Sequence, residues 1–116
     1  MKKGILLTIF FLFILSVLTF AEDISIVKIQ GVLMSVDLKK STVVINEITF
    51  VWDQHTTFYN EKGSPITIDK LRTKGWVYIE GENDKARKRW IAKKIYLLPK
   101  FIGSKELHLY PFIEQN

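Results

Sequence analysis

Apolar and polar residues alternate in short runs through most of the chain, and turn-forming residues separate the runs. Alternation with a period of two, in segments rich in β-branched and aromatic residues, is typical of strands with one buried face. The pattern therefore predicts five strands and one short helical turn. The strands span residues 24–36, 42–45, 48–52, 76–80 and 89–98, and the helical turn spans 68–71.

The order of these segments predicts an all-β fold. Five strands with a short helical turn before the fourth are typical of a small barrel of the OB type, a fold that binds oligonucleotides and oligosaccharides. The parity of the apolar positions changes near Gly31, which predicts a bulge or bend that helps the sheet to curl. After the first twenty residues, no segment keeps a helical period beyond two turns, and this argues against a helical bundle.

The first twenty residues follow another pattern. Lys2 and Lys3 precede an apolar run from Ile5 to Phe20, and Ala21 ends the segment. A basic start, an apolar stretch and a small-residue cleavage site are the parts of a secretory signal peptide. We expect cleavage after Ala21 and a periplasmic or secreted protein. The alternative is an uncleaved anchor helix, although the run is shorter than the roughly 20 residues that span a bilayer.

Cleavage after Ala21 divides the chain into a signal peptide (1–21), a small β-barrel domain (22–99) and a C-terminal extension (100–116). The extension is too apolar for a free tail, since it contains Phe101, Ile102, Leu107, Leu109, Tyr110 and Phe112. We expect part of it, residues 106–110, to pair at a sheet edge or to pack on the barrel.

The amino-acid composition excludes several kinds of functional site. The 116-residue chain has no cysteine, which excludes a disulfide framework, thiolate catalysis and Cys-ligated zinc. Lys2 and Lys3 belong to the leader, so the 17 basic and 12 acidic residues of the whole chain leave a mature net charge of about +3. There is no nucleophile elbow, glycine-rich phosphate loop or helical zinc motif. The sequence therefore predicts a protein that is not an enzyme and has no cofactor.

Residues 85–94 form the densest charged segment, in which six of ten residues are basic. The functional hypothesis is a docking patch for polyanions such as lipid headgroups, acidic glycans or extracellular nucleic acid. Its proposed contacts are Lys85, Arg87, Lys88, Arg89 and Trp90. The alternative is a solvated hairpin whose charges protect a sheet edge, with nearby acidic residues offsetting the cations. Strict alternation places Arg89 and Lys93 on one face of the strand and Lys94 on the other.

Trp76 and Tyr78 are the second candidate, because they have the parity opposite to the core residues Val77 and Ile79. Two outward rings, together with Trp90, would stack sugars or bases. The alternative is that the rings lie under the apolar extension or belong to the core themselves.

Asp53 and His55 are spaced like two ligands of a metal site. A metal-dependent enzyme or sensor centred on them is the alternative function. A convincing site needs three or four convergent ligands, and the sequence offers no motif for the others.

Glycines, turn residues and alternating core residues recur in a fixed order along the chain. The motifs are Gly31-x-x-x-x-Val36-Asp37, Ile48-x-Phe50-x-Trp52-Asp53, Gly75-Trp76-Val77-Tyr78-Ile79-Glu80-Gly81 and Ala92-x-x-Ile95. Across residues 26–98 the chain resembles a group of exported bacterial small-barrel (OB-like) domains of unknown function. The resemblance implies a five-stranded barrel outside the cytoplasm, and it supplies no catalytic residue.

These observations predict a non-enzymatic, exported binding or scaffold module of the cell envelope. The expected partner is an anionic envelope polymer or an envelope protein. The mild net charge argues against nucleic acid as the partner. Membrane contact is expected only through the N-terminal segment, if that segment is not cleaved.

Overall fold

The computed structural model describes residues 24–114, so the predicted signal peptide lies outside the described residues. This part of the chain is all-β, with two 3₁₀ turns at Ile68–Lys70 and Leu107–Leu109. No helix within it is long and apolar enough to span a bilayer. The strands are β1 (Ile24–Asp37), β2 (Thr42–Ile45), β3 (Ile48–Val51), β4 (Thr57–Tyr59), β5 (Pro65–Ile66), β6 (Trp76–Asp84) and β7 (Arg89–Leu98).

Five of these strands form a closed ring. Antiparallel pairings join β3 to β2, β2 to β1, β1 to β6 and β6 to β7, and a parallel pairing of β3 with β7 completes the circle. This ring, with a 3₁₀ turn before its fourth strand, confirms the predicted all-β, OB-like fold class. A short β4–β5 hairpin lies between β3 and the first 3₁₀ turn, where the alternation predicts no strand. Strand β4 continues along β7 beyond the end of β3.

The irregularity in β1 lies three residues beyond the predicted position. The register with β2 shifts between Leu33 and Ser35, which leaves Met34 exposed and turns Val36 toward the core. Gly31 is required for a different reason. A Cβ at this position would lie 2.7 Å from side-chain atoms of Ile45 and Asn46, so only glycine allows the β2–β3 turn to approach β1.

The inside of the ring holds the main core. All five ring strands contribute inward side chains, and none of the fully buried ones is polar. They are Leu33, Val43, Ile45, Phe50, Val77, Ile79, Ala92 and Ile95. Opposed residues such as Val43 and Phe50 share this inner face, as strand pairing requires.

The C-terminal extension packs on the outside of the ring. Residues 107–109 form a 3₁₀ turn rather than a strand, so the packing alternative is the one that the structure contains. Ile102 is buried against Tyr78, Tyr96 and Leu98 in a second cluster. The Gln30 side chain holds the Ile102 backbone in place: its Nε2 donates to the carbonyl oxygen (2.9 Å) and its Oε1 accepts from the N–H (2.7 Å).

Candidate functional site: the outer face of β1, β6 and β7

The candidate site lies on the outer face of the three longest strands. Residues that oppose each other in neighbouring strands share a face, so the pairings assign this surface row by row. Trp76, Tyr78 and Tyr96 lie at one end of the outer face, which we call the aromatic half. The charged half lies toward the β6–β7 turn and contains Lys28, Glu80, Glu82, Asp84, Arg89, Lys93 and Lys94.

A bulge in β7 concentrates cations on the charged half. Gly81 opposes Ala92 and Glu80 opposes Lys94, which makes Lys93 an extra residue in β7. The Lys93 Nζ lies 3.7 Å from the Glu82 carboxylate, and Lys94 is directly opposite Glu80. Both lysines therefore lie on the outer face. The expectation that Lys94 faces away from Arg89 and Lys93 is wrong, because the bulge resets the alternation.

The β6–β7 turn carries three exposed cations past the end of the sheet. Strand β6 continues to Asp84 instead of ending at Glu80, so the connection to β7 is shorter than predicted. Asp84 Oδ1 accepts a hydrogen bond from the Arg87 backbone N–H (3.2 Å). Lys88 closes the turn in the left-handed region at a φ of 54°. Lys85, Arg87 and Lys88 are all exposed.

Acidic neighbours neutralise only part of this surface. Glu82 pairs with Lys93, and Asp84 lies 3.8 Å from Arg87 Nε. Within residues 24–114, Lys85, Lys88 and Lys94 form no ion pair. In the same range the buried Nε of Arg89 has no hydrogen-bond partner. Exposed ion pairs contribute about 0–1 kcal/mol, so Glu82 and Asp84 hold their partners weakly.

The three candidate rings are separated. Trp90 points into the ring, where its indole lies 6.1 Å from the Phe50 ring. Tyr78 is only 1% exposed beneath the extension. Trp76 is partly buried and meets Phe101 edge-on at 5.4 Å. Trp76 opposes Leu98, whereas Trp90 opposes Asn83 at the other end of the β6–β7 hairpin. The rings therefore offer no shared stacking platform beside the turn.

The extension covers the aromatic half through an aromatic stack. Tyr96 lies between Tyr59 and Phe112, with ring centroids 4.5 and 4.1 Å away and nearly parallel planes. The Tyr78 hydroxyl donates to Glu80 Oε2 (3.2 Å) and accepts from the Glu114 N–H (3.2 Å). Burial raises the pKa of Tyr78 to about 12. This hydroxyl joins the covered aromatic half to the open charged half.

Lys28 is the basic residue of this surface that sequence reasoning missed. It opposes Glu80, which in turn opposes Lys94, so the three side chains form a row across three strands. Lys28 also forms an ion pair with Glu114, the last residue of the extension that the structure describes. No local signal connects residue 28 with residues 80, 94 and 114. Strand pairing brings residues 28, 80 and 94 together, and the packing of the extension adds Glu114.

Asp53 and His55 lie in the turn after β3. Asp53 Oδ1 accepts the His55 N–H (2.8 Å), and this bond holds the pKa of Asp53 below its usual range. Thr56 completes the turn, since its hydroxyl accepts the Asp53 N–H and donates to the Ala92 carbonyl (2.7 Å). Across residues 24–114, no three Asp, Glu or His side chains converge as metal ligands. Asp53 acts here as a turn cap, and the His55 side chain is exposed.

No protein-family model, curated protein or solved structure matches the chain. The resemblance to exported OB-like domains stays a prediction.

Proposed function

We propose that this chain is an exported, non-enzymatic binding module whose ligand is an anionic polymer of the cell envelope. The binding site is the basic surface, which consists of Lys28, Lys85, Arg87, Lys88, Arg89, Lys93 and Lys94. The β7 bulge is the observation that carries the proposal, because it brings Lys94 to the same face as Arg89 and Lys93. A regular strand would split these cations between the outer face and the core.

The extent of the basic surface favours a polymer over a small anion. Strands rise about 3.3 Å per residue, so Arg89 and Lys94 lie roughly 15 Å apart along β7. The turn carrying Lys85, Arg87 and Lys88 extends the surface further. A ligand that contacts both ends must carry repeated negative groups. The acidic residues interspersed among the cations would keep the affinity moderate and dependent on salt.

The position of the turn agrees with the way that OB folds bind ligands. In those folds, the loop between the fourth and fifth barrel strands contributes to the binding of oligonucleotides and oligosaccharides. Lys85, Arg87 and Lys88 lie in the corresponding turn of the five-stranded ring. The correspondence with OB folds is one of fold only, and the charges themselves supply the chemistry.

Retention on immobilised heparin across a salt series tests the proposal. The variant Lys85→Gln/Arg87→Gln/Lys88→Gln should elute at clearly lower salt than the native chain. Its log–log salt slope should fall by about 2–3, since each lost anion contact removes slightly less than one unit. The matched control is Lys39→Gln/Lys40→Gln/Lys62→Gln, which removes the same charge from other exposed turns.

If both triple variants eluted at equally lowered salt concentrations, heparin would be detecting only net charge, and the proposed site would be wrong. A parallel measurement with vesicles containing phosphatidylglycerol separates the polymer from a lipid surface. Binding to those vesicles without retention on heparin would contradict a polymer ligand.

Export is tested by the N-terminus of the protein made from the full chain in a bacterial host. Cleavage after Ala21 predicts a mature protein that begins at Glu22 and is recovered outside the cytoplasm. A full-length protein held in the membrane fraction would support the anchor alternative instead. A full-length protein in the cytosol would contradict export altogether.

A further inference from the structure

The described part of the extension reaches the boundary between the two halves of the outer face at Glu114. Phe112 stacks on Tyr96 in the aromatic half, and two residues later Glu114 reaches the charged half. There the Glu114 carboxylate pairs with Lys28, and its N–H donates to the Tyr78 hydroxyl. Its position is therefore fixed from both sides, by the stack before it and by the row of charges beside it.

Lys28 and Lys94 flank Glu80 in this row, so the row alone has more positive than negative charge. Glu114 supplies a second carboxylate. Lys28 lowers the pKa of Glu114 through a hydrogen bond and its charge, and Lys94 contributes in the same direction. With Glu114 in place, each lysine of the row is close to a carboxylate of the protein itself.

We propose that the Glu114 carboxylate competes, within the same chain, with the anionic ligand for Lys28. This inference depends on the proposed function and adds a regulatory contact to it. A ligand bound along the basic surface must displace Glu114 to reach Lys28. Displacement removes only an exposed ion pair, because Phe112 and Ile102 still hold the extension on the aromatic half. The contact therefore tunes affinity and does not block the site.

The direct test compares Glu114→Gln with Glu61→Gln by titration with a heparin oligosaccharide at low salt. Both variants lose one negative charge, but Glu61 lies on the β4–β5 hairpin, away from the row. The Glu114→Gln variant lacks the competing carboxylate, so it should bind the oligosaccharide about two- to fivefold more tightly than the native chain. This range corresponds to the energy of an exposed ion pair. Glu61→Gln should change the Kd by much less. Equal gains for the two variants would overturn the inference, since net charge alone would explain them.

The second test removes Lys28. The gain produced by Glu114→Gln should disappear in the background of Lys28→Gln, because the contested cation is gone. In the native chain, the carboxyl pKa of Glu114, followed by NMR, should rise toward its usual range when the oligosaccharide is added. An unchanged pKa at saturation would contradict displacement.

Failure of the inference and failure of the proposed function give different results. Binding that depends on Lys85, Arg87 and Lys88 but not on Glu114 would overturn only the competition. Binding that is absent, or indifferent to the turn, would overturn the proposed function and the competition with it.

Discussion

The interior of the ring and the aromatic half of its outer face are both buried, but by different means. The ring strands supply the fully buried side chains of the interior, which are aliphatic apart from Phe50. Trp52 and Leu71, from the connecting segments, pack against them. The aromatic half is covered by a segment with no strand, and its buried side chains include Tyr78 and Tyr96. The Tyr78 hydroxyl and the Gln30 side chain join that cover to the sheet by hydrogen bonds, whereas the fully buried side chains of the interior are all apolar.

This difference indicates how stability is divided between the ring and the C-terminal extension. The ring closes through its own backbone pairing, so its interior should open only when the whole domain unfolds. The extension is held by Gln30, by an aromatic stack and by an exposed ion pair, each of which can be removed without opening the ring. We therefore expect the cover to behave as a separate and weaker unit.

The largest effect is expected from Phe50→Ala. Phe50 is fully buried in the ring, and two of its ring atoms lie 3.0 and 3.2 Å from the position that a Cβ on Gly81 would take. Truncation leaves a cavity among strands that cannot collapse independently, and we expect a loss of about 3–5 kcal/mol in the free energy of unfolding. Urea denaturation measures this loss. A loss below about 1 kcal/mol would contradict the description of the interior as one close-packed unit.

Alkaline pH should weaken the cover through Tyr78. Its pKa is raised from 10.0 to about 12 by burial, so the unfolded chain ionises first. The stabilisation is complete below pH 10 and is lost as the pH rises toward about 12. A shift of this size corresponds to about 1–3 kcal/mol. The native chain should lose stability over this interval, and Tyr78→Phe should lose less by about that amount. If the unfolding free energies of the two proteins, measured by urea denaturation, fell in parallel as the pH rises, the covered hydroxyl would be ruled out as the cause.

A smaller and more local effect is expected from Gln30→Ala. The substitution leaves the N–H and carbonyl of Ile102 without their partner, at a cost of about 1–2 kcal/mol. Hydrogen exchange should accelerate at Ile102 while amides of the ring, such as Ile79, stay protected. Gln54→Ala is the matched control, since Gln54 is exposed in the turn after β3. Acceleration throughout the ring would show that the cover and the ring form one cooperative unit.

Alternation along the chain was sufficient to predict the ring strands, because each has one face in the core. It also correctly placed Val77 and Ile79 inside and Tyr78 outside. Periodicity gives no information on a single inserted residue, so it put the bulge of β1 near Gly31 and missed the one at Lys93. The short β4–β5 hairpin, too, has no pattern of its own and depends on β7 for its pairing.

The candidate site was predictable only in part. The run of cations from Lys85 to Arg89 is visible as composition, and it does lie on and beside one turn. Its association with Lys28 and Glu114 depends on pairings between residues more than 50 positions apart, which no local pattern contains. The inward direction of Trp90 depends on how β3 and β7 meet. Tertiary structure therefore decides which charges and rings share a surface.

Polyanion binding by the basic surface on β1, β6 and β7 is the proposal on which the competition by Glu114 also depends. It can be tested by titrating the ¹⁵N-labelled mature domain with a heparin oligosaccharide. We expect amide shift changes at Lys85, Arg87, Lys88, Arg89 and Lys94, with smaller ones at Lys28 and Glu114. Changes confined to the outward residues of β2 and β3, such as Thr42, Val44 and Thr49, or no changes at all, would contradict it.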